Sequence, residues 1–311
     1  MADYFDPKVI SRIRGFEIRS MRLVESYMVG MHKSAFRGIS TEFAQHRQYV
    51  IGDDTRHIDW KVFAKTDEVF VKEYEAETNM AVVFLLDVSP SMFYKSEEAA
   101  MSKYEYAATV AATLSYMLMS QKDTFGMTLF SDKVEYHLPT KGSGLHFRNI
   151  VETLNKVQEE SLESDSKKKE DKGTDIGNVV RKIAPQIKSK GVVVILSDFI
   201  NDLETLGVGL GQIHSLGQDC MLFHLEDPVE RDFPFYGQTI LKGLENEGKL
   251  LCDPRDLRNI YLREKEKHLD AIQEQCMNFG FDIRSFTTES PIDSLLTEFL
   301  STRMAQRRRG R

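Results

Sequence analysis

Cysteine is scarce in this 311-residue chain, and the three that occur, Cys220, Cys252 and Cys276, are odd in number, far apart and free of any CxxC pairing. That spacing excludes a secreted disulfide framework and a cysteine zinc site, and a chain of this length can bury a core without staples. Long hydrophobic runs are also missing. The longest, AVVFLL before Asp87 and VVVIL before Ser197, fall far short of the roughly 20 residues a bilayer crossing needs, so both read as buried strands. The opening MADYFDPKVISRIRG has Asp and Pro where an export signal needs an unbroken apolar segment, and the expectation is a cytoplasmic protein. No GxxxxGK[ST] loop is present, so ATP hydrolysis, if it matters here, belongs to a partner. His32, His46, His137, His146, His214, His224 and His268 form no HxH or HxxxH pair of the kind a transition-metal site uses.

Charge is unevenly spread. The net charge is −7, yet Arg303, Arg307, Arg308, Arg309 and Arg311 crowd the last nine residues; without those five positive charges the remainder stands at −12. An acidic body argues against nucleic-acid binding by the folded part, and the basic tail over 303–311 reads as a solvated helix end.

From about Met80 onward, strand-like runs alternate with helical patterns, the order of a largely parallel sheet covered by helices. Strands are expected at 81–88, 125–130, 192–196, 220–225 and 281–286. In SKYEYAATVAATLSYMLMSQ, the residues Tyr104, Ala108, Ala111, Leu114 and Leu118 share one helical face. Between 257 and 279 the stripe is Leu262, Leu269, Ile272, Cys276 and Phe279. KVEYHLPTKGSG and TILKGLENEGKLLCDP read as hairpin-like additions that extend or flank the sheet. SLESDSKKKEDKG, 161–173, is almost without apolar residues and reads as a surface loop.

One stretch raises the question of function. In FLLDVSPSM an apolar strand ends in Asp87, Ser89 and Ser91, one carboxylate and two hydroxyls at alternate positions. A later buried run ends in Asp198, and Thr174 precedes an apolar-periodic helix. In open α/β sheets, ligands gather at the carboxyl ends of the strands. These five residues offer oxygen only, which suits a hard divalent cation such as Mg²⁺. With only two carboxylates, the ion would stay electrophilic and open to an outside carboxylate. The bland alternative has Ser89 or Ser91 capping the next helix, Thr174 capping its own, and Asp198 satisfying a loop.

Upstream, GDDTRHIDW crowds Asp53, Asp54, Arg56, His57, Asp59 and Trp60 into nine residues. It reads as a turn with a paired arginine and with Trp60 as a buried anchor. A partner-binding surface over Asp53, Asp54, Arg56 and Asp59, or a His57–Asp59 base and orienter, are the other readings.

DVSPS at 87–91, Thr174 in GTDIG and Asp198 in LSDF resemble the metal-ion-dependent adhesion site of von Willebrand factor A domains, whose sheet is Rossmann-like. GISTEFAQHRQYVIGDDTRHIDWKVFAKTDEVFVKEYEAETN resembles the signature of the bacterial DUF58 family. The resemblance implies a doubly wound, mostly parallel α/β domain over 78–302 behind an N-terminal α+β preface over 1–77. It implies Mg²⁺ or Mn²⁺ on Asp87, Ser89, Ser91, Thr174 and Asp198, and a role that is not enzymatic. That role would be a metal-dependent protein-interaction module beside a MoxR-type AAA+ ATPase, in chaperone-like remodelling or maturation of client proteins, gripping an acidic residue of a client or of the ATPase. Larger relatives carry N-terminal membrane helices that the resemblance does not find here. A Mg²⁺-dependent hydrolase or phosphatase with Asp87 as nucleophile is the alternative, although the second Asp that such phosphatases place two residues on is Ser89 here.

Overall fold

The structure is a computed structural model. It describes residues 6–33, 45–49, 60–66, 68–73, 80–163, 176–183, 187, 191–200, 203–235, 239–242, 249–252 and 254–309. The chain divides into two compact units, Met1–Tyr27 with Met80–Arg311, and Met28–Asn79.

The large unit opens with α1 (Pro7–Ile10) and with α2 (Phe16–Lys33) as far as Tyr27, α1 capped by the Asp6 carboxylate with Pro7 at its first position. Residues 6–27 of the preface expected over 1–77 therefore belong to the same compact unit as the main sheet. Ile10, Phe16 and Leu23 are buried. The buried Arg19 guanidinium reaches Glu105 (3.3 Å) and the carbonyls of Ser11 (3.2 Å) and Ile13 (2.6 Å). The helix is held by its apolar face and by one well-satisfied cation.

In the small unit, β1 (Gln45–Gln48) pairs antiparallel with β2 (Phe70–Glu73), and α3 (Trp60–Thr66) lies between them in sequence. Trp60 is 62% exposed and meets Phe63 edge-on at 6.0 Å between ring centroids. The expectation of a buried tryptophan anchor is thus wrong. Trp60 opens a seven-residue helix, a short element that turns its first residue out to solvent.

The main sheet follows the alternation read from the sequence. Its strands are β3 (Ala81–Asp87), β4 (Thr124–Phe130), β5 (Val134–Lys141), β6 (Gly191–Ser197), β7 (Asp219–Glu226) and, after the hairpin pair β8 (Thr239–Lys242) and β9 (Lys249–Cys252), β10 (Asp282–Thr287). Their spatial order is β10-β7-β6-β3-β4-β5, parallel throughout except for the edge strand β5. KVEYHLPTK thus extends the main sheet, while TILK and KLLC form a two-stranded sheet of their own.

The helices are α4 (Lys103–Ser120), α5 (Gly144–Glu163), α6 (Ile176–Ile183), α7 (Leu203–Ser215), α8 (Pro228–Asp232), α9 (Pro254–Phe279) and α10 (Ile292–Arg309). Val83, Leu85, Val193, Ile195 and Leu222 pack with α6, α7 and α9 in one core. The expected stripe on α9 is present, with Ile272 and Cys276 buried and Leu269 and Phe279 packed against that core. The single apolar face expected for α4 is too narrow, because nearly every residue from Lys103 to Leu118 is buried. The helix contacts β3, β4, α5 and α10 and receives Arg19 from α2, so it is covered on all sides. The basic segment 303–311 continues α10 as far as Arg309.

His224 on β7 is buried beside Phe199 and Ser285. Burial first, then the charge of Lys265, holds its imidazole down at about 4; Asp198 opposes this, and Lys103 and His268 add to it. Unfolded, it binds a proton near 6.5, so its contribution is complete above that pH and is lost as the pH falls towards 4. Urea unfolding at pH 7 and pH 4.5 should show the parent losing about 2–3 kcal/mol more than His224→Asn over that interval. Equal losses would contradict a neutral buried imidazole.

Candidate functional site

In this strand order, the chain leaves β3 towards β4 on one side and later fills β6, β7 and β10 on the other. The switch point is the crevice at the carboxyl ends of β3 and β6, where such sheets bind ligands. Asp87 ends β3, and Ser197 ends β6 with Asp198 directly after it. The register pairs Leu86 with Leu196, so Asp87 and Ser197 stand next to each other on one face.

Asp87 is fully buried. Its Oδ1 accepts from the Ser89 backbone N–H (2.9 Å) and its Oδ2 from the Ser197 hydroxyl (2.6 Å). No ion pair neutralises it among the described residues. Burial first, then the charge of Asp198, pushes its carboxyl up to about 7, against the bonds from Ser197 and Ser89. Ser89 precedes the short 3-10 turn Pro90–Phe93 but makes no side-chain cap bond. Its hydroxyl lies 3.1 Å from that of Ser91, and both serines are buried. The cap of α4 is Ser102, whose Oγ accepts from the Glu105 N–H (3.1 Å). The helix-capping alternative for Ser89 and Ser91 therefore does not hold.

Asp198 opens a sharp turn. Phe199 has φ +51, a left-handed backbone that a non-glycine residue adopts only when its surroundings impose it. The Phe199 N–H donates to Ser197 Oγ (2.9 Å), His268 Nε2 lies 2.8 Å from the Phe199 carbonyl oxygen, and the ring is buried. Ser197 thus ties the β3 carboxylate to the turn that aims Asp198. Ser197→Ala leaves both Asp87 Oδ2 and the Phe199 N–H without that partner and should cost about 2–3 kcal/mol in urea unfolding; a loss under about 0.5 kcal/mol would mean that the hydroxyl is idle.

Lys103, at the start of α4, is fully buried. Its ammonium donates to Asp198 Oδ2 (2.9 Å) and to Glu230 Oε1 (2.7 Å) and Oε2 (3.0 Å). Burial alone would lower its pKa, but Asp198 and Glu230 beside it outweigh burial and raise it. Glu230 belongs to a capping box: Asp227 caps α8 through Val229 N–H (2.9 Å), while Glu230 accepts from Asp227 N–H (2.9 Å). Asp227 also accepts from Ser96 N–H (3.0 Å), and Lys265 pairs with Glu226.

The structure thus brings together Asp87, Ser89, Ser91 and Asp198. Thr174, Asp53, Asp54, Arg56, His57 and Asp59 lie outside the described residues. Sequence reasoning missed Ser197, Lys103 and Glu230. The signals for two of them were there: DPVE is a legible capping box, and Lys103 is a cation at the first position of a helix whose one other charged residue is Glu105. A divalent cation fits the donor set, because oxygen ligands converge on a buried carboxylate that lacks a cation of its own. Among the described residues, no three His, Cys, Asp or Glu side chains gather into a metal-binding group, so hydroxyls would complete the set.

A doubly wound sheet with one antiparallel edge carries DxSxS and a second Asp at its switch point, the α/β arrangement that the resemblance to von Willebrand factor A domains leads one to expect. The chain belongs to the DUF58 family, described as a protein of unknown function, whose model matches residues 45–271. Uncharacterized proteins of Mycobacterium bovis and Mycobacterium tuberculosis are 21% identical over 310 residues, covering 99% of this chain and 92% of theirs. Among solved structures, an aerotolerance-related membrane protein of Bacteroides fragilis aligns with TM-score 0.44 and 19% identity, over 71% of this chain and 99% of that one. The conserved hypothetical protein BatB of Bacteroides thetaiotaomicron aligns with TM-score 0.41 and 15% identity, over 73% and 99%. The SpRpn10 VWA domain aligns with TM-score 0.38 and 10% identity, over 70% and 94%. No helix among the described residues is long and apolar enough to cross a membrane.

Proposed function

We propose that this chain is a metal-dependent protein-interaction module and not an enzyme. Asp87, Ser89 and Ser91 would hold Mg²⁺ or Mn²⁺, with Asp198 and Thr174 as further ligands, directly or through water. The bound ion would supply an electrophilic position for a carboxylate of another protein. The observation that carries this reading is Asp87: a carboxylate wholly buried at the switch point, hydrogen-bonded through both oxygens and, among the described residues, paired with no cation.

The partner is carried over from the family resemblance: a MoxR-type AAA+ ATPase, with this chain as adaptor in remodelling or maturation of clients. Capture of such an ATPase from the same cell should occur in Mg²⁺ and fail both in EDTA and with Asp87→Ala. Equal capture in all three conditions would sink the metal-dependent reading.

A further inference from the structure

The two carboxylates at the switch point are not equivalent. Among the described residues Asp87 has no cation, whereas Asp198 gives one oxygen to the Lys103 ammonium at 2.9 Å and its other oxygen accepts from the Ile200 N–H at 3.4 Å. Lys103 is expensive to place there. It is fully buried, and it occupies the first helical position of α4, directly after the Ser102 cap, where the helix dipole opposes a cation. A methionine would fill the same space at less cost if packing were the only need. The surroundings are built for the charge: Glu230 clamps the ammonium with both oxygens. Glu230 is itself held by the Asp227 N–H, while its carbonyl accepts from Tyr261 Oη (3.0 Å) and Lys265 Nζ (3.2 Å).

We infer that Lys103 is a tethered cation that competes with the metal for Asp198 and thereby sets the affinity of the site. This rests on the metal-site reading proposed above. With Asp198 and Glu230 engaged by the ammonium, Asp87 is the one uncompensated anionic ligand offered to the metal. The site then binds the ion weakly, leaves it electrophilic, and keeps its shape when the ion departs. Lys103 is in this sense an affinity-setting residue, and Glu230 is the group that holds it in place.

Mn²⁺ titration followed by electron paramagnetic resonance tests this on the full chain, for the parent, Lys103→Met, Lys103→Met with Glu230→Gln, and Glu230→Gln alone, each with and without Asp87→Asn. The double variant removes a cation and an anion together, so it keeps the charge balance if Lys103→Met alone fails to fold. Binding about tenfold tighter or more is expected in both variants that lack Lys103, with no tightening in Glu230→Gln alone. Their melting temperatures should also depend more steeply on Mn²⁺ than that of the parent. Binding that depends on Asp87 but is unchanged or weakened by loss of Lys103 overturns the inference and leaves the metal site standing. Binding indifferent to Asp87→Asn in every background overturns the metal-site reading, and the inference with it.

Discussion

Mg²⁺ at about a hundredfold excess over its dissociation constant is expected to raise the melting temperature of the parent by roughly 5–10 °C and to leave that of Asp87→Ala unmoved. An ion that binds the folded chain alone contributes about 2.7 kcal/mol at that excess, and a domain of this size converts each kcal/mol into roughly 2–4 °C. The sensitivity should be concentrated at Asp87 because Lys103 already compensates Asp198, whereas the Asp87 carboxylate is buried with hydrogen bonds and, among the described residues, no counter-charge. Asp87→Asn is the companion variant. It keeps the shape and an acceptor oxygen, removes the charge, and should abolish the Mg²⁺ response without the packing loss of alanine. A scanning-calorimetry series over Mg²⁺ concentration reads both, and a parent with a flat response would argue for a scaffold whose site takes no metal.

The second large effect is one of backbone geometry. Gly191 begins β6 where it runs beside β3, and a Cβ placed there would lie 1.9 Å from the Ala81 carbonyl oxygen and 2.9 Å from its carbon. Both are backbone atoms of the neighbouring strand, so no side chain can swing aside to make room. Gly191→Ala should therefore cost about 3 kcal/mol or more, a fall in melting temperature of roughly 6–12 °C. The damage would fall on the strand pair that carries Asp87 and Asp198, so metal binding should weaken with stability. Gly280→Ala is the useful contrast: its φ is +71 with no atom within 4 Å of the added carbon, so only local strain, about 1 kcal/mol, is expected. Similar small losses in the two variants would show that β3 and β6 do not approach so closely.

Much of the fold was legible in the chain. Five of the six main strands were read from the sequence, four of them because parallel strands buried on both faces are written as continuous apolar runs; AVVFLLD and VVVILS are buried along nearly their whole length. The edge strand β5 was read only as a hairpin-like stretch that extends or flanks the sheet, because a half-buried antiparallel strand carries a mixed pattern. Periodicity described α9 well, because that helix has one face against the core and one in solvent. It misjudged α4, because a helix covered on every side has no single face for a moment to reveal. Trp60 was misread for a related reason: an aromatic residue is buried on average, but a short helix decides case by case which side it turns outward.

By itself, the sequence determined the alternation of strands and helices, the placing of Asp87, Ser89, Ser91 and Asp198 at strand ends, and the oxygen-only chemistry of that set. These depend on local pattern, which a linear chain carries directly. Only the tertiary structure decided that β3 and β6 are neighbours in a register that sets Ser197 beside Asp87, and that Lys103 reaches across from α4 to be shared by Asp198 and Glu230. The reason is physical. Register and the compensation of buried charge are settled between segments 95 and 127 residues apart in the chain, where desolvation makes each carboxylate depend on whichever cation or hydroxyl the folded core brings to it.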